Sequence, residues 1–225
     1  GAAFISLGSD IEEMQGKSKV VFGAFRSQVV KDLEAFGDSI GRSTHELEGM
    51  ASSIQDTFVP MGFARGEAAK LSVDLTKLAV DVASFNNASD TETMAAFQSA
   101  LVGNHETVRR FGVIITEATL SQELMRMGIE KGSKAATNAQ KVQARMNLII
   151  AGTSDAAGDA ARTSGSFANQ ARALKAELSE LGGELSAILL PAVTDIVGTL
   201  LAGAKAAKSF LVSIGALSQF GTGIE

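Results

Sequence analysis

Hydrophobic residues in the last quarter of the chain follow the spacing of a coiled coil. After Thr163, apolar positions alternate between steps of four and three residues for about three and a half heptads. A repeat of this length is typical of a seam along which helices pack against one another. The predicted oligomer seam consists of Phe167, Ala171, Leu174, Leu178, Leu181, Leu185, Ile188, Ala192, Ile196 and Leu200.

The regularity of this stripe changes near its middle. Beyond Pro191 the stripe continues to Leu217, but two steps of four follow each other, a stutter that locally unwinds a supercoil. The pair Gly182-Gly183 also weakens a helix, because each glycine costs about 1 kcal/mol relative to alanine. A single helix over 163–219 and two helices divided near 182–191 are therefore both open.

Short helices are predicted for the chain up to about residue 160. Their expected starts are capping boxes, in which Ser or Thr is followed three residues later by Glu or Gln. These pairs are Ser9/Glu12, Ser43/Glu46, Ser89/Glu92, Thr119/Gln122 and Thr137/Gln140. Glycines at the expected ends suit left-handed C-caps. They are Gly41, Gly103, Gly112, Gly128 and Gly152.

The clearest helical periodicity before the seam lies in AAKLSVDLTKLAVDVASF. Leu71, Leu75, Leu78, Val82 and Phe85 recur there at steps of four and three. This spacing predicts an apolar stripe along one helix face. We expect the stripe to be buried within its own domain, with a helix from another copy of the chain as the alternative partner.

The stretch ALVGNHETVRRFGVIITEATL combines charges, a histidine and β-forming residues, and residues 113–116 predict a brief strand. Neighbouring residues on a helix point about 100° apart, so His105 and Glu106 cannot face one substrate from the same turn. Glu106 is spaced to pair with Arg109 or Arg110 on an exposed surface. We interpret this stretch as a structural turn and not as an active site.

The composition favours closely packed helices over a compact enzyme. The chain contains 12 Phe and 23 Gly but no Trp or Tyr, and it is rich in the small residues Ala, Gly and Ser, which suit thin helices that lie close together. Its net charge of −5 with interspersed signs provides no basic face for a phosphate backbone. We therefore expect an elongated or self-associating helical protein without sequence-specific nucleic-acid binding.

Catalytic chemistry is sparse in this sequence. The absence of cysteine excludes disulfides and thiolate zinc sites, and only two histidines are present. His45-Glu46 begins the metalloprotease pattern H-E-x-x-H, but Gly49 stands where the second histidine belongs. No phosphate-binding glycine loop and no G-x-S-x-G elbow is found. The sequence thus predicts no enzyme activity, no metal site and no cofactor.

Residues 185–204 raise the question of a membrane. The segment LSAILLPAVTDIVGTLLAGA has the length of a spanning helix and a single charge, Asp195. That charge opposes insertion by roughly 2.5–3.5 kcal/mol at a bilayer centre. We favour apolar faces shared among the subunits of a bundle. The alternative is a helical membrane-active or pore-forming protein that inserts this segment.

Together these patterns predict a mainly α fold. Several short helices and a minor β element near 113–116 precede a long heptad-patterned C-terminal helix in an oligomeric bundle. The expected divisions are an N-terminal helical segment, 1–60, a small helical domain with the strand, 61–160, and a coiled-coil-like helix, 161–225. We expect that last helix to be kinked or broken near 182–191.

The order of these segments strongly resembles the globular or pre-coil region of phage tail tape measure proteins. The similarity lies in MAAFQSALVGNHETVRRFGVIITEATLSQELMRMGI and in KVQARMNLIIAGTSDAAGDAARTSGSFANQARALKAELSELGGELSAILLPAV. It covers about residues 60–195, each motif being weak alone and their order being fairly specific. The shared elements include Ala100-Leu101-x-Gly103, Phe111-Gly112 and Leu190-Pro191.

This resemblance implies a structural protein of the virion, located in the tail tube lumen or at the tail tip. It implies a homo-oligomer, with a trimer favoured and a hexamer as the alternative, that contacts tail tube and baseplate or tail tip proteins. It also implies roles in tail length and genome ejection, including passage across the host envelope and contact with the host membrane. The long low-complexity tape expected in that family is missing, so we expect this chain to be an excerpt.

Overall fold

The structure of the chain is a computed structural model that describes residues 2–130 and 132–213. The protein is mainly helical over these ranges, which confirms the predicted fold class at this level. The α-helices are α1 (Ala2–Phe22), α2 (Arg26–Ile40), α3 (Thr44–Phe58), α4 (Arg65–Phe85), α5 (Asp90–Leu101), α6 (Glu117–Arg126), α7 (Asn138–Gly152), α8 (Asp159–Arg162) and α9 (Phe167–Ser213). Short 3-10 helices are Gly23–Phe25, His105–Phe111, Gly132–Lys134 and Ser154–Ala156.

The described residues divide into two compact units. One comprises residues 11–180 and is called the helical unit below; the other comprises 2–10 with 181–213. The helical unit has one main core, to which both of the predicted segments 1–60 and 61–160 contribute.

Helix α4 lies at the centre of that core and packs against α2, α3, α5 and α8. The expected burial of its stripe within its own unit is confirmed for Leu75 and Val82, which are buried with Ala79 and Val80. Phe85, at the end of α4, is 55% exposed. The small residues among the buried positions allow the neighbouring helices to approach α4 closely.

Three of the predicted caps are present in the structure. Ser43, Ser89 and Thr137 each precede a helix in extended backbone conformation and accept a hydrogen bond from the backbone N–H three residues later. At Thr137 the box is reciprocal, because the Gln140 side chain accepts from the Thr137 backbone N–H at 2.8 Å. These starts follow from local chemistry, since the donor and the acceptor lie three residues apart.

Two predicted caps are wrong. Ser9 lies inside α1 and begins no helix. Thr119 is the third residue of α6, whose cap is Thr116. The Thr119 hydroxyl takes the part expected of Glu or Gln, since it accepts from the Thr116 backbone N–H at 2.8 Å. A threonine at either end of the box satisfies the same donors. The predicted cap, Thr119, therefore lies three residues after the observed cap, Thr116.

The predicted strand at 113–116 is also wrong, because these residues form no strand and none occurs elsewhere in the described ranges. Val113 and Ile115 are buried, whereas Ile114 between them is 65% exposed. The alternation therefore reflects a segment that turns every second side chain into the core. A strand requires a hydrogen-bonded neighbour, and the described chain provides none for this segment.

Four of the predicted helix-ending glycines, Gly41, Gly103, Gly112 and Gly128, have positive φ angles. The prediction is wrong for Gly152, which is the last residue of α7 and does not have a positive φ. A Cβ atom at Gly152 would lie 3.2 Å from Val113 Cγ2, so its small size serves packing against the 113–116 segment.

Helix α9 includes Pro191 and the pair Gly182-Gly183 as helical residues. The end of the predicted stripe, 214–219, lies outside the described residues. Within the described ranges, no helix combines the length and the apolar character needed to cross a membrane.

Candidate interaction surface

The predicted seam residues of α9 whose side chains are described all lie on the surface of the chain. Within the helical unit, Leu174 is 63% exposed and Leu178 is 62% exposed. The other exposed members are Ala171, Leu181, Leu185, Ile188 and Leu200. The remaining members lie in α9 but outside the described side chains, and they are Phe167, Ala192 and Ile196. The stripe is thus available for contact in the single chain.

The first turns of α9 belong to the helical unit, and they contact the rest of that unit through a different face. The contacting residues recur at helical spacing and are Asn169, Arg172, Ala173, Ala176 and Glu180. At about 100° per residue, this set points roughly opposite to Leu174 and Leu178. We call it the docking face. In a coiled coil its members occupy outer positions, which leaves the seam positions uncovered.

Asn169 holds the start of α9 through a network of polar groups. This residue is 3% exposed, and its Oδ1 accepts from Arg42 Nη2 at 3.1 Å and from Arg172 Nη1 at 2.9 Å. Its Nδ2 donates to the Thr163 carbonyl oxygen at 3.0 Å. Arg42 also forms a 2.6 Å ion pair with Asp90, so that α9 is connected to the start of α5. Buried polar groups of this kind hold a defined geometry because an unmade bond is costly.

Glu180 connects α9 to the start of α3. Its Oε1 accepts hydrogen bonds from Ser43 Oγ and from the Thr44 backbone N–H, both at 2.8 Å, and its Oε2 lies 3.1 Å from His45 Nε2. The positive end of the α3 dipole favours a carboxylate at this position. The backbone N–H of Glu46 donates to the Ser43 hydroxyl as expected, while its side-chain Oε1 lies 3.6 Å from Lys175 Nζ.

Gly41 permits the close approach of α9 to the end of α2. Its φ of 65° is left-handed, and a Cβ atom at this position would lie 2.4 Å from the Cβ of Ala173. Ala176, one turn further along α9, is buried. The docking face therefore combines very small residues with directional polar contacts.

This division between the faces of α9 is unusual for a single chain. Burying a leucine side chain stabilises a protein by about 1.5–3 kcal/mol, yet Leu174 and Leu178 face outward while Asn169, Arg172 and Glu180 face inward. Sequence reasoning identified the apolar stripe but missed the docking face. Polar residues opposite an apolar stripe ordinarily mark a solvent-exposed surface, so no local signal distinguished them.

The charged side chains of the histidine-bearing stretch, residues 100–120, contact one another and neighbouring groups. Arg109 pairs with Glu106 at 3.3 Å on the surface, as predicted, while Arg110 lies 4.7 Å from the centre of the Phe111 ring. Partial burial lowers the pKa of His105, and the nearby positive charge of Arg145 lowers that pKa further. These contacts fit a structural turn.

A cleft beside the docking face is lined by charged groups that already pair with one another. Its volume is about 370 Å³, and its lining includes the Arg42–Asp90 and Lys175–Glu46 pairs. The described residues contain no group of three or more His, Cys, Asp or Glu side chains that could hold a metal ion. The exposed stripe of α9 is therefore the strongest candidate for a functional surface.

Comparisons with known proteins add no demonstrated family. No protein-family model, curated protein or solved structure matches the chain.

Proposed function

We propose that this chain is a segment of a phage tail tape measure protein, a structural component that self-associates through the seam of α9. The observation that carries the proposal is the exposure of the heptad stripe while the opposite face contacts the chain's own helical unit. A stripe buried inside the unit would have no surface to offer another copy. The sequence resemblance over about residues 60–195 supports the tail assignment.

The exposed apolar surface has the size of an interaction site. The seam side chains from Leu174 to Ile188 leave on the order of several hundred Å² of apolar surface in water, within reach of the ~800 Å² that each partner buries in a stable interface. An apolar stripe with heptad spacing is complementary to another copy of itself, because knobs at each level fit holes at the same level. The occupant that fits best is therefore α9 of another copy.

In this proposal the long helix belongs to an oligomeric bundle inside the tail tube or at the tail tip. Small residues at seam positions suit a close multi-helix axis, and they are Ala171, Ala192, Gly203 and Ala207. Three copies are favoured, with six as the alternative. Contacts with tube and baseplate proteins, control of tail length and a part in genome ejection are proposed from the resemblance.

Replacing seam leucines by aspartate tests the proposal. The double variant Leu178→Asp, Leu185→Asp places charges in the seam and is expected to weaken self-association by about a hundredfold or more, since each unpaired buried charge costs several kcal/mol. Analytical ultracentrifugation over a wide concentration range measures this. Leu201→Asp is the matched control, because Leu201 is an exposed leucine of α9 outside the seam.

Two outcomes would contradict the proposal. A wild-type chain that stays monomeric at high concentration would exclude self-association through α9. In the parent gene, the double variant is expected to prevent tails of normal length in electron micrographs. Normal tails would argue against the tape measure assignment.

A further inference from the structure

The rotation of α9 about its own axis decides whether its leucines are available to other chains. We propose that Glu180 is a positioning residue that holds the start of α9 at one rotation, with Leu174 and Leu178 turned outward and available to other copies. This inference rests on the proposed function, because it concerns how the self-association surface is presented. It adds a set of residues that controls assembly without belonging to the seam.

A helix with this sequence has a strong alternative orientation. Apolar surface favours burial, so a half turn of α9 would place Leu174 and Leu178 against the helical unit and satisfy them within one chain. The same half turn would break the hydrogen bonds of Asn169 to Arg42 and to the Thr163 carbonyl oxygen, so this polar network contributes to the observed orientation. Leu174 and Leu178 are nevertheless exposed in the structure. Interactions on the docking face must therefore disfavour the alternative orientation.

Glu180 supplies a directional interaction of this kind. Its Oε1 accepts hydrogen bonds from Ser43 and Thr44, and its Oε2 lies 3.1 Å from His45 Nε2, so that its contacts fall on consecutive residues at the start of α3. Charge-assisted hydrogen bonds are strong and depend on angle. A shift of α9 by one residue position, about 100°, would carry the carboxylate away from all of them.

The contact between α2 and α9 opposes the alternative sterically. Even a single added carbon at Gly41 would lie 2.4 Å from Ala173 Cβ, so the two backbones are already close. The leucine side chains do not fit at this distance between the helices. Glu180 therefore attracts α9 in one orientation, while the Gly41–Ala173 contact excludes the leucine face.

Glu180→Gln and Glu177→Gln form a matched pair for testing this inference. Both remove one negative charge from the same stretch of α9, but Glu177 is exposed and makes no hydrogen bond or ion pair among the described residues. Each substitution is made alone and together with Leu174→Cys. Because the chain contains no cysteine, the introduced thiol is unique.

Two readouts separate positioning from a general loss of structure. Leu174→Cys introduces a thiol that a maleimide can alkylate. In dilute monomer, Glu180→Gln is expected to slow this alkylation. In the chain without this thiol, it is expected to weaken self-association by about tenfold, the effect of losing one hydrogen bond to a charged group. Glu177→Gln should change neither, and the helix content and melting temperature of both variants should stay close to wild type.

The outcomes distinguish this inference from the proposed function. Equal alkylation rates and equal self-association for the two variants would overturn the role of Glu180 while leaving the seam in place. A wild-type chain that never self-associates would instead remove the proposed function. The alkylation comparison would then still decide whether Glu180 sets the rotation of α9.

Discussion

His105 shows how a single half-buried residue links folding to pH. Burial lowers its pKa from the ordinary value of 6.5, and the positive charge of Arg145 adds to the effect. Its Nε2 is buried and has no hydrogen-bond partner among the described residues. The unfolded chain therefore binds a proton at a higher pH than the folded chain, so the free energy of unfolding decreases as the pH falls below about 6.5.

Substitution of His105 by a neutral residue should remove this dependence. We expect the wild-type chain to lose more stability between pH 7.5 and pH 5.5 than His105→Gln does, because glutamine does not titrate. Urea unfolding at the two pH values measures the difference. The same pH-dependent loss in both proteins would show that protonation of His105 is not linked to folding.

Residue-level predictions from sequence succeeded where the partners are close along the chain. The Glu106–Arg109 pair is three residues apart and was predicted from that spacing. The Ser43 hydroxyl likewise accepts from the Glu46 backbone N–H as predicted, but it also donates to Glu180, 137 residues away. A contact over that distance depends on the tertiary fold and has no local signature.

At the scale of elements, helix starts are the best-determined feature. The helix α7 begins at a reciprocal box between Thr137 and Gln140. Each side chain satisfies one backbone donor that the first turn would otherwise leave without a partner. The error at α6 has the same chemistry, since Thr116 and Thr119 form a box that differs from the searched pattern only in its second residue.

Removal of the α7 cap should have a moderate effect. We expect Thr137→Ala to reduce the free energy of unfolding by about 1 kcal/mol. Thr194→Ala is the control, because Thr194 is exposed within α9 and caps no helix. Chemical denaturation of both variants measures the effect, and equal stabilities would mean that the Thr137 cap contributes nothing.

At the scale of the whole molecule, one core connects most of the helical unit. Phe97 in α5 is fully buried and meets the ring of Phe111 edge-on, with 6.3 Å between the ring centres. Phe111 ends the short helix of the histidine-bearing stretch. That stretch is therefore attached to the core by its apolar residues, while its charges face outward.

A large-to-small substitution in this core should be costly. Phe97→Ala is expected to destabilise the chain by about 3–5 kcal/mol, because it removes buried surface and leaves a cavity. Phe85→Ala, at an exposed phenylalanine, should cost much less. Urea denaturation of the two variants compares them. Similar losses would contradict the placement of Phe97 at the centre of the core.

Features that depend on neighbouring residues could be predicted from the sequence. These are the helical fold class, several caps and the apolar stripes of α4 and α9, which follow from backbone hydrogen bonding and from helical periodicity. Whether each stripe is buried or exposed depends on the packing of the whole chain. The α4 stripe is buried at Leu75 and Val82, whereas Leu174 and Leu178 of α9 face solvent.

The physical reason is that a stripe defines a face but not its partner. For α9 the inward face was selected by distant polar groups, above all Arg42 with Asn169 and Ser43 with Glu180. For 113–116, an alternating pattern became an extended segment because the described fold places no strand beside it. Both outcomes depend on which distant groups the folded chain brings together. The local spacing of residues does not predict these contacts.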